Sequence, residues 1–481
     1  MKLEEYARYD GLGLAELVSR REVTPRELGA LALAGIEKVN PRLNAVIETF
    51  PERLQKLAPP SSDVVGGPFG GVPLLVKDFP IEKGVKGEMG CQLFAGFAPD
   101  QDSELMLRLR RAGFVNLGRT ASSELGLAAL TRSRQSGITR NPWDPSRSTA
   151  GSTGGGAAAA AAGIVPIVQG GDGGGSIRNP ASFCGLVGLK PSRGRISAGP
   201  DEGDSLGGMA ISFVLTRSLR DCAAALDAVA GPGIGDPYEI APPVLPYAEE
   251  ISRPAGRLKI AFTARAWSGL PLDSELDVGV RSVAKLLEGM GHEVSEQAPT
   301  FDYEEFLAAQ IELWCGHTAY GISALAEAQG RKPGPENLQT TSWAVYEAGR
   351  RLPVARFLAA EAVYNTITRQ LGEFFREVDV LITPTCTVPP LPLDAHDLDG
   401  RGATVTDLFD HLAPIETFTA LFNATGQPAM SLPLCWSKSG LPLGMQLVGR
   451  SGDEATLFRL ASALEQALPW SHRRPPIHVA A

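Results

Sequence analysis

Residues 150–178 read AGSTGGGAAAAAAGIVPIVQGGDGGGSIR, and this run decides the interior of the fold. The six alanines Ala157 to Ala162 suit a helix that carries nothing larger than a methyl on any side. Such a helix packs closely on its neighbours and belongs in a central core. From Gly151 to Gly208 the chain is glycine, alanine and small polar residues with few long charged side chains, a composition suited neither to a surface nor to a linker. The longest apolar stretch, Ala157 to Val168, is interrupted by Gly163 and Pro166. It falls far short of the roughly 20 residues that a membrane-crossing helix needs.

Outward from this run, β and α patterns alternate. Gly71 to Val76 is a short apolar strand that delivers Lys77 and Asp78 at its end. Thr24-Pro25-Arg26-Glu27 reads as a helix start, with Thr24 as N-cap, Pro25 at the first helical position and Glu27 closing a capping box; the helix is expected to run to about Val39. Ser103 to Ala112 reads as a helix and Val115 to Leu117 as the next strand. Later, Leu258 to Phe262, Val378 to Thr383 and Gly444 to Gly449 read as strands, with helices at Ser274 to Met290 and Asp453 to Ala467. The pattern predicts an α/β fold, a mixed central β-sheet covered by helices on both faces. Proline and glycine thicken over Gly231 to Pro254, which places a connector, and a boundary, near 235–255.

Composition narrows the function. The 481 residues carry 45 Lys+Arg against 54 Asp+Glu, a net charge of −9, which excludes a polycationic nucleic-acid or membrane-surface binder. No apolar segment of signal-peptide length follows Met1 to Asp10, so the expected location is cytoplasmic. The six cysteines are scattered, without a C-x-x-C pair or a histidine at metal-ligand spacing. The expectation is therefore reduced, mostly buried thiols and no metal or other cofactor.

The chemistry centres on Gly170 to Arg178. Successive glycines before Ser176 let unhindered backbone N–H groups curl into an anion-binding nest. That suits a nucleophile beside its own oxyanion hole, a phosphate site, or a plain glycine-rich turn with an incidental serine. The phosphate motifs G-x-x-x-x-G-K-[ST] and G-x-G-x-x-G are absent here. A serine nucleophile needs a base, yet none of the six histidines has a recognisable catalytic setting, and G-x-S-x-G is missing around Ser176. Lysine serves if burial leaves it neutral, and Lys77, at the end of an apolar strand, is the candidate. Taken singly, Lys77 also reads as a snorkelling lysine and Ser152 as a helix N-cap before the alanines.

Together these residues resemble the amidase signature family. The likeness rests on Lys77-Asp78, Asn141-Pro142-Trp143-Asp144, Ala150 to Ala157 and Gly171 to Ala181, with 75 residues from Lys77 to Ser152 and 24 from Ser152 to Ser176. It continues through Gly185 to Arg195 and the late block Phe418 to Pro433. The resemblance implies a single amidase signature domain over 1–481, with a core region at about 66–220 and a variable, substrate-side segment at about 300–356. It implies Ser176 as nucleophile, Ser152 as a bridging serine preceded by a cis peptide bond, and Lys77 as base. Oxyanion donors would be the backbone amides of Gly173, Gly174, Gly175 and Ser176, and Asp172 and Arg178 are expected to hold the nest in shape. Trp314, Cys315 and Trp343 in the variable segment, with Phe418, are candidate substrate-binding residues. Thr153, Gly156 and Gly173 depart from the family's usual serine, serine and threonine.

The implied activity is hydrolysis of linear, aryl or cyclic amides of small molecules through an acyl-enzyme, without nucleic-acid or membrane partners, in a chain for which a homodimer is an open expectation. Phe418 to Asn423 and Pro469 to Pro475 look most like stand-alone amidases, including those acting on aminohexanoate amides. Two alternatives stand beside this: the A subunit of a glutamyl-tRNA amidotransferase, and a catalytically silent binding protein on the same fold.

Overall fold

The structure, a computed structural model, describes residues 1–57 and 66–481. An eleven-stranded sheet forms its centre. In spatial order the strands are Val46–Thr49, Val115–Thr120, Pro73–Lys77, Ile167–Asp172, Ile211–Thr216, Val187–Lys190, Ala429–Trp436, Pro442–Gly449, Val380–Pro384, Lys259–Phe262 and Glu293–Glu296. Parallel and antiparallel pairs are mixed. Strands from both sides of the 231–254 connector join this one sheet, and the connector carries a short helix, Tyr247–Glu250, whose first amides bond to the Asp227 carboxylate.

Successive strand residues point to opposite faces, and both faces are buried under helices. Val380, Ile382 and Met430 pack with the helices Pro25–Leu43, Ser274–Gly289 and Glu454–Ala467. Their neighbours Leu381 and Ala429 pack instead with Tyr303–Ala328, Val354–Glu377 and Val405–Glu416. The expected α/β architecture is present. On Ser274–Gly289 the buried face holds Leu276, Val280, Val283 and Leu287, and on Glu454–Ala467 it holds Leu457, Leu460, Ala461 and Leu464.

The capping box at Thr24 and Glu27 forms, but the helix continues past Val39 to Leu43. Pro41 does not stop it. The end comes where Asn40 Oδ1 accepts the amides of Ala45 and Val46 at 2.8 Å and Asn44 turns left-handed. Ala157 to Ala161 lie in the helix Gly154–Ala161, every residue of which is buried, and Ala162 is its C-cap.

Ser152 is not the N-cap of the alanine helix, contrary to its local sequence. Thr153 holds that position without a capping side chain, and Thr131 Oγ1 receives the Gly154 amide at 3.0 Å. The Ser152 hydroxyl is engaged elsewhere.

Candidate active site

Two neighbouring parallel strands build the site. Pro73–Lys77 and Ile167–Asp172 pair through Leu74 with Ile167 and Leu75 with Val168, so their C-terminal ends open on one edge. That edge is the usual ligand-binding end of a parallel pair. The first strand places Lys77 there; the second places Asp172 and runs directly into Gly173 to Ser176. The alanine helix, which precedes the second strand, starts beside them and brings Ser152.

Lys77 Nζ lies 2.6 Å from Ser152 Oγ, and both side chains are buried. The lysine backbone amide is tied to Gln169 Oε1 at 3.1 Å, and its amine sits 4.4 Å from the centre of the Phe79 ring. Burial pulls the amine down to about 7, against the opposing pull of the Asp172 and Asp78 carboxylates. The snorkelling alternative therefore has no support in the geometry. The Gly151–Ser152 peptide bond is cis. Ser176 is adjacent: its carbonyl accepts the Thr153 amide at 3.3 Å.

The turn between Asp172 and Ser176 is held from behind. Asp172 Oδ2 accepts the amides of Ile177 and Arg178 at 3.2 and 3.3 Å, and the carboxylate pairs with the Arg178 guanidinium through two bonds of 2.9 and 3.0 Å. Burial pushes this carboxyl up, but Arg178 and the Asn423 amide more than offset that and bring it down to about 2. Gly175 has φ +145°, and a Cβ there would lie 2.3 Å from Asn179 Nδ2, so only glycine fits. Among the described residues, the amides of Gly173, Gly174, Gly175 and Ser176 have no protein acceptor. Four successive N–H groups are thus left without an acceptor among the described residues.

Arg178 reaches further, to the Thr419 carbonyl at 2.9 Å and Gln446 Oε1 at 2.8 Å, while Asn423 Nδ2 donates to Asp172 and to the Met209 carbonyl. Thr419 Oγ1 donates to the Gly174 carbonyl at 2.6 Å. Arg178→Met would strand the buried Asp172 charge, so it is expected to lower unfolding free energy by about 3–5 kcal/mol. Urea unfolding beside the wild type measures it; a change within error would mean that the pair carries no net stability.

The four candidate substrate-binding residues separate. Trp314 reaches the turn: its Cζ2 lies 3.3 Å from where a Gly174 side chain would begin. Cys315, next to it, lies where the helices Tyr303–Ala328 and Thr340–Arg350 cross, and burial pushes its thiol up to about 11. Trp343 packs on Tyr346 in a cluster with Cys91, Leu93 and Phe94. Phe418 is fully buried, edge-on to Trp267 at 5.4 Å, and its carbonyl accepts Gln446 Nε2. Of the unusual positions, Thr153 Oγ1 donates to the Gly171 carbonyl at 3.2 Å, while side chains at 156 and 173 would press on Val168 and Leu206.

Sequence reasoning missed Thr419, Asn423 and Gln446, and also Glu416, whose Oε2 lies 2.4 Å from where a Gly174 side chain would begin. The late block Phe418 to Pro433 was the available signal for Thr419 and Asn423; for Glu416 and Gln446 there was none.

The Amidase family matches residues 27–458. The chain is 36% identical to the 6-aminohexanoate-cyclic-dimer hydrolase of Paenarthrobacter ureafaciens, over 97% of this chain and 96% of that protein. It is 32% identical to the A subunit of glutamyl-tRNA(Gln) amidotransferase from Moorella thermoacetica, over 97% of this chain and 98% of that one. The solved structure of a 6-aminohexanoate cyclic dimer hydrolase complexed with substrate superposes with a TM-score of 0.92 at 33% identity, over 98% of this chain and 99% of the other. With the family matched over most of its length and the fold shared with a solved member, this chain belongs to the amidase family and is a hydrolase of amide bonds.

Proposed function

We propose that the chain cleaves amides of small molecules, linear, aryl or cyclic, through a covalent acyl-enzyme on Ser176. The observation that carries this reading is the 2.6 Å contact between Lys77 Nζ and Ser152 Oγ, with the amine poised near neutrality. As Ser176 Oγ attacks the carbonyl carbon, its proton passes to Ser152 Oγ and the Ser152 proton to Lys77 Nζ. The oxyanion so formed is received by the amides of Gly173 to Ser176. When the C–N bond breaks, the proton returns along the same path to the departing amine, leaving an ester on Ser176. Water then attacks that ester under the same relay and releases the carboxylic acid. Of the four candidate substrate-binding residues Trp314 alone reaches the turn, and it would line the acyl pocket.

The likeness to the A chain of a tRNA-dependent amidotransferase supports a second reading, in which the same residues release ammonia inside a larger assembly. Assay of the purified chain alone on aliphatic, aryl and cyclic amides separates the two. Turnover of simple amides without a partner is expected, whereas glutaminase activity that needs a second protein would favour the assembly.

Among the described residues no group of three or more His, Cys, Asp or Glu is arranged to hold a metal ion, and the relay needs none. Activity should therefore be unchanged after EDTA treatment and dialysis. Loss that zinc or manganese restores would overturn the serine relay. Among the described residues no helix is long and apolar enough to cross a membrane.

A further inference from the structure

Glu416 ends the helix Val405–Glu416 and is buried against the nest. A side chain on Gly174 would begin 2.4 Å from Glu416 Oε2, so the carboxyl occupies the space that the missing side chain leaves. Thr419 fixes it there, donating its amide to the Glu416 carbonyl and its hydroxyl to the Gly174 carbonyl. Oε2 is fully shielded and has no hydrogen-bond partner among the described residues. Burial, joined by the nearby Asp172 charge and opposed by Arg178, pushes the acid up to about 8, so at neutral pH it is mostly uncharged and offers an O–H donor.

Trp314 approaches the same glycine. Its Cζ2 is 3.3 Å from that Cβ position, and Nε1, two bonds away, is also buried without a partner among the described residues. Buried polar groups left unpaired are costly, and these two stand together beside Gly174 with no partner among the described residues. The scissile carbonyl is already served by the backbone amides. An ammonium group is a poor match, because the indole N–H would face it with its positive end.

Building on the serine-relay reading of this site, we propose that Glu416 and Trp314 form a subsite for a second, uncharged carbonyl group of the substrate, so that the preferred substrates are bifunctional, carrying a further amide beyond the one cleaved. Glu416 is a positioning and specificity-determining residue here, not a proton carrier of the relay.

The test uses the full chain and two series of secondary amides, one extended on the acyl side and one on the amine side. Each series ends in a methyl, a carboxamide or an ammonium group. In at least one series the carboxamide should be cleaved with kcat/KM about tenfold or more above its methyl analogue. That ratio should collapse in Glu416→Leu and in Trp314→Phe, chiefly through KM, while Glu416→Gln, which keeps an uncharged donor, should retain most of it. Equal cleavage of carboxamide and methyl substrates in both series, preference for ammonium, or a Glu416→Leu variant that slows all substrates by one factor would each overturn the subsite. Should Glu416→Leu not fold, Trp314→Phe and Glu416→Gln read the same ratio. Hydrolysis without discrimination counts against the subsite alone; absence of hydrolysis throughout counts against the underlying relay as well.

Discussion

Ser176→Ala is expected to lose amide hydrolysis by about 10⁴-fold or more while remaining folded, because the nest can still bind an oxyanion but nothing attacks the carbonyl. The replacement removes a single buried hydroxyl from a turn that Asp172, Arg178 and Thr419 hold independently. Circular dichroism should therefore match the wild type, and kcat/KM on any cleaved amide gives the loss. A fluorophosphonate reagent should add to the wild type once, on the peptide containing Ser176, and leave the variant unlabelled. A well-folded variant that keeps about a tenth of wild-type kcat would overturn the assignment.

The second large effect concerns Lys77. An ordinary lysine, with a pKa of about 10.4, is protonated at neutral pH and accepts nothing. Here burial brings the amine down to about 7, so kcat/KM should rise with pH along one ionisation near that value and level off above it. In the proposed relay the neutral amine takes the Ser152 proton, so activity should be lost as pH falls and the ammonium forms. Lys77→Arg keeps a cation but cannot deprotonate, so it should fall by about 10³-fold or more at every pH and lose the acid limb. Wild-type rates from the arginine variant would make Lys77 a structural cation and move the base elsewhere.

Much of the fold is legible in local pattern. Strands such as Pro73–Lys77 and amphipathic helices such as Ser274–Gly289 announce themselves through apolar spacing and caps. The strand Ile167–Asp172 is harder to see, because Gly170 and Gly171 break its apolar run, and only pairing on both sides makes it a strand. Within the variable segment, Tyr303–Ala328 carries a helical period in Phe306, Ala309, Leu313 and Ile322, but its scattered aromatics draw the eye to a pocket wall rather than to a long helix.

In the site, Lys77, Ser152 and Ser176 stand out because each sits in an unusual local composition and the spacing matches a family. Ser152 as N-cap is a fair local inference that fails for a tertiary reason: Thr131, from a distant loop, takes over the cap and frees the hydroxyl for Lys77. Glu416 is not legible. Pro414-Ile415-Glu416-Thr417 reads as an ordinary helix end, and nothing local says that its carboxyl meets a glycine far back in the chain.

That meeting has a consequence for how the sequence can change over time. Position 174 has no room for even a methyl while a carboxyl stands at 416, and a lone change to alanine would drive Oε2 out of its place. The reverse order is open: a shorter side chain at 416 first vacates the space that a methyl at 174 would then fill. The two positions are thus expected to drift as a pair, with 416 leading, so that lineages carrying alanine at 174 should carry a small residue at 416.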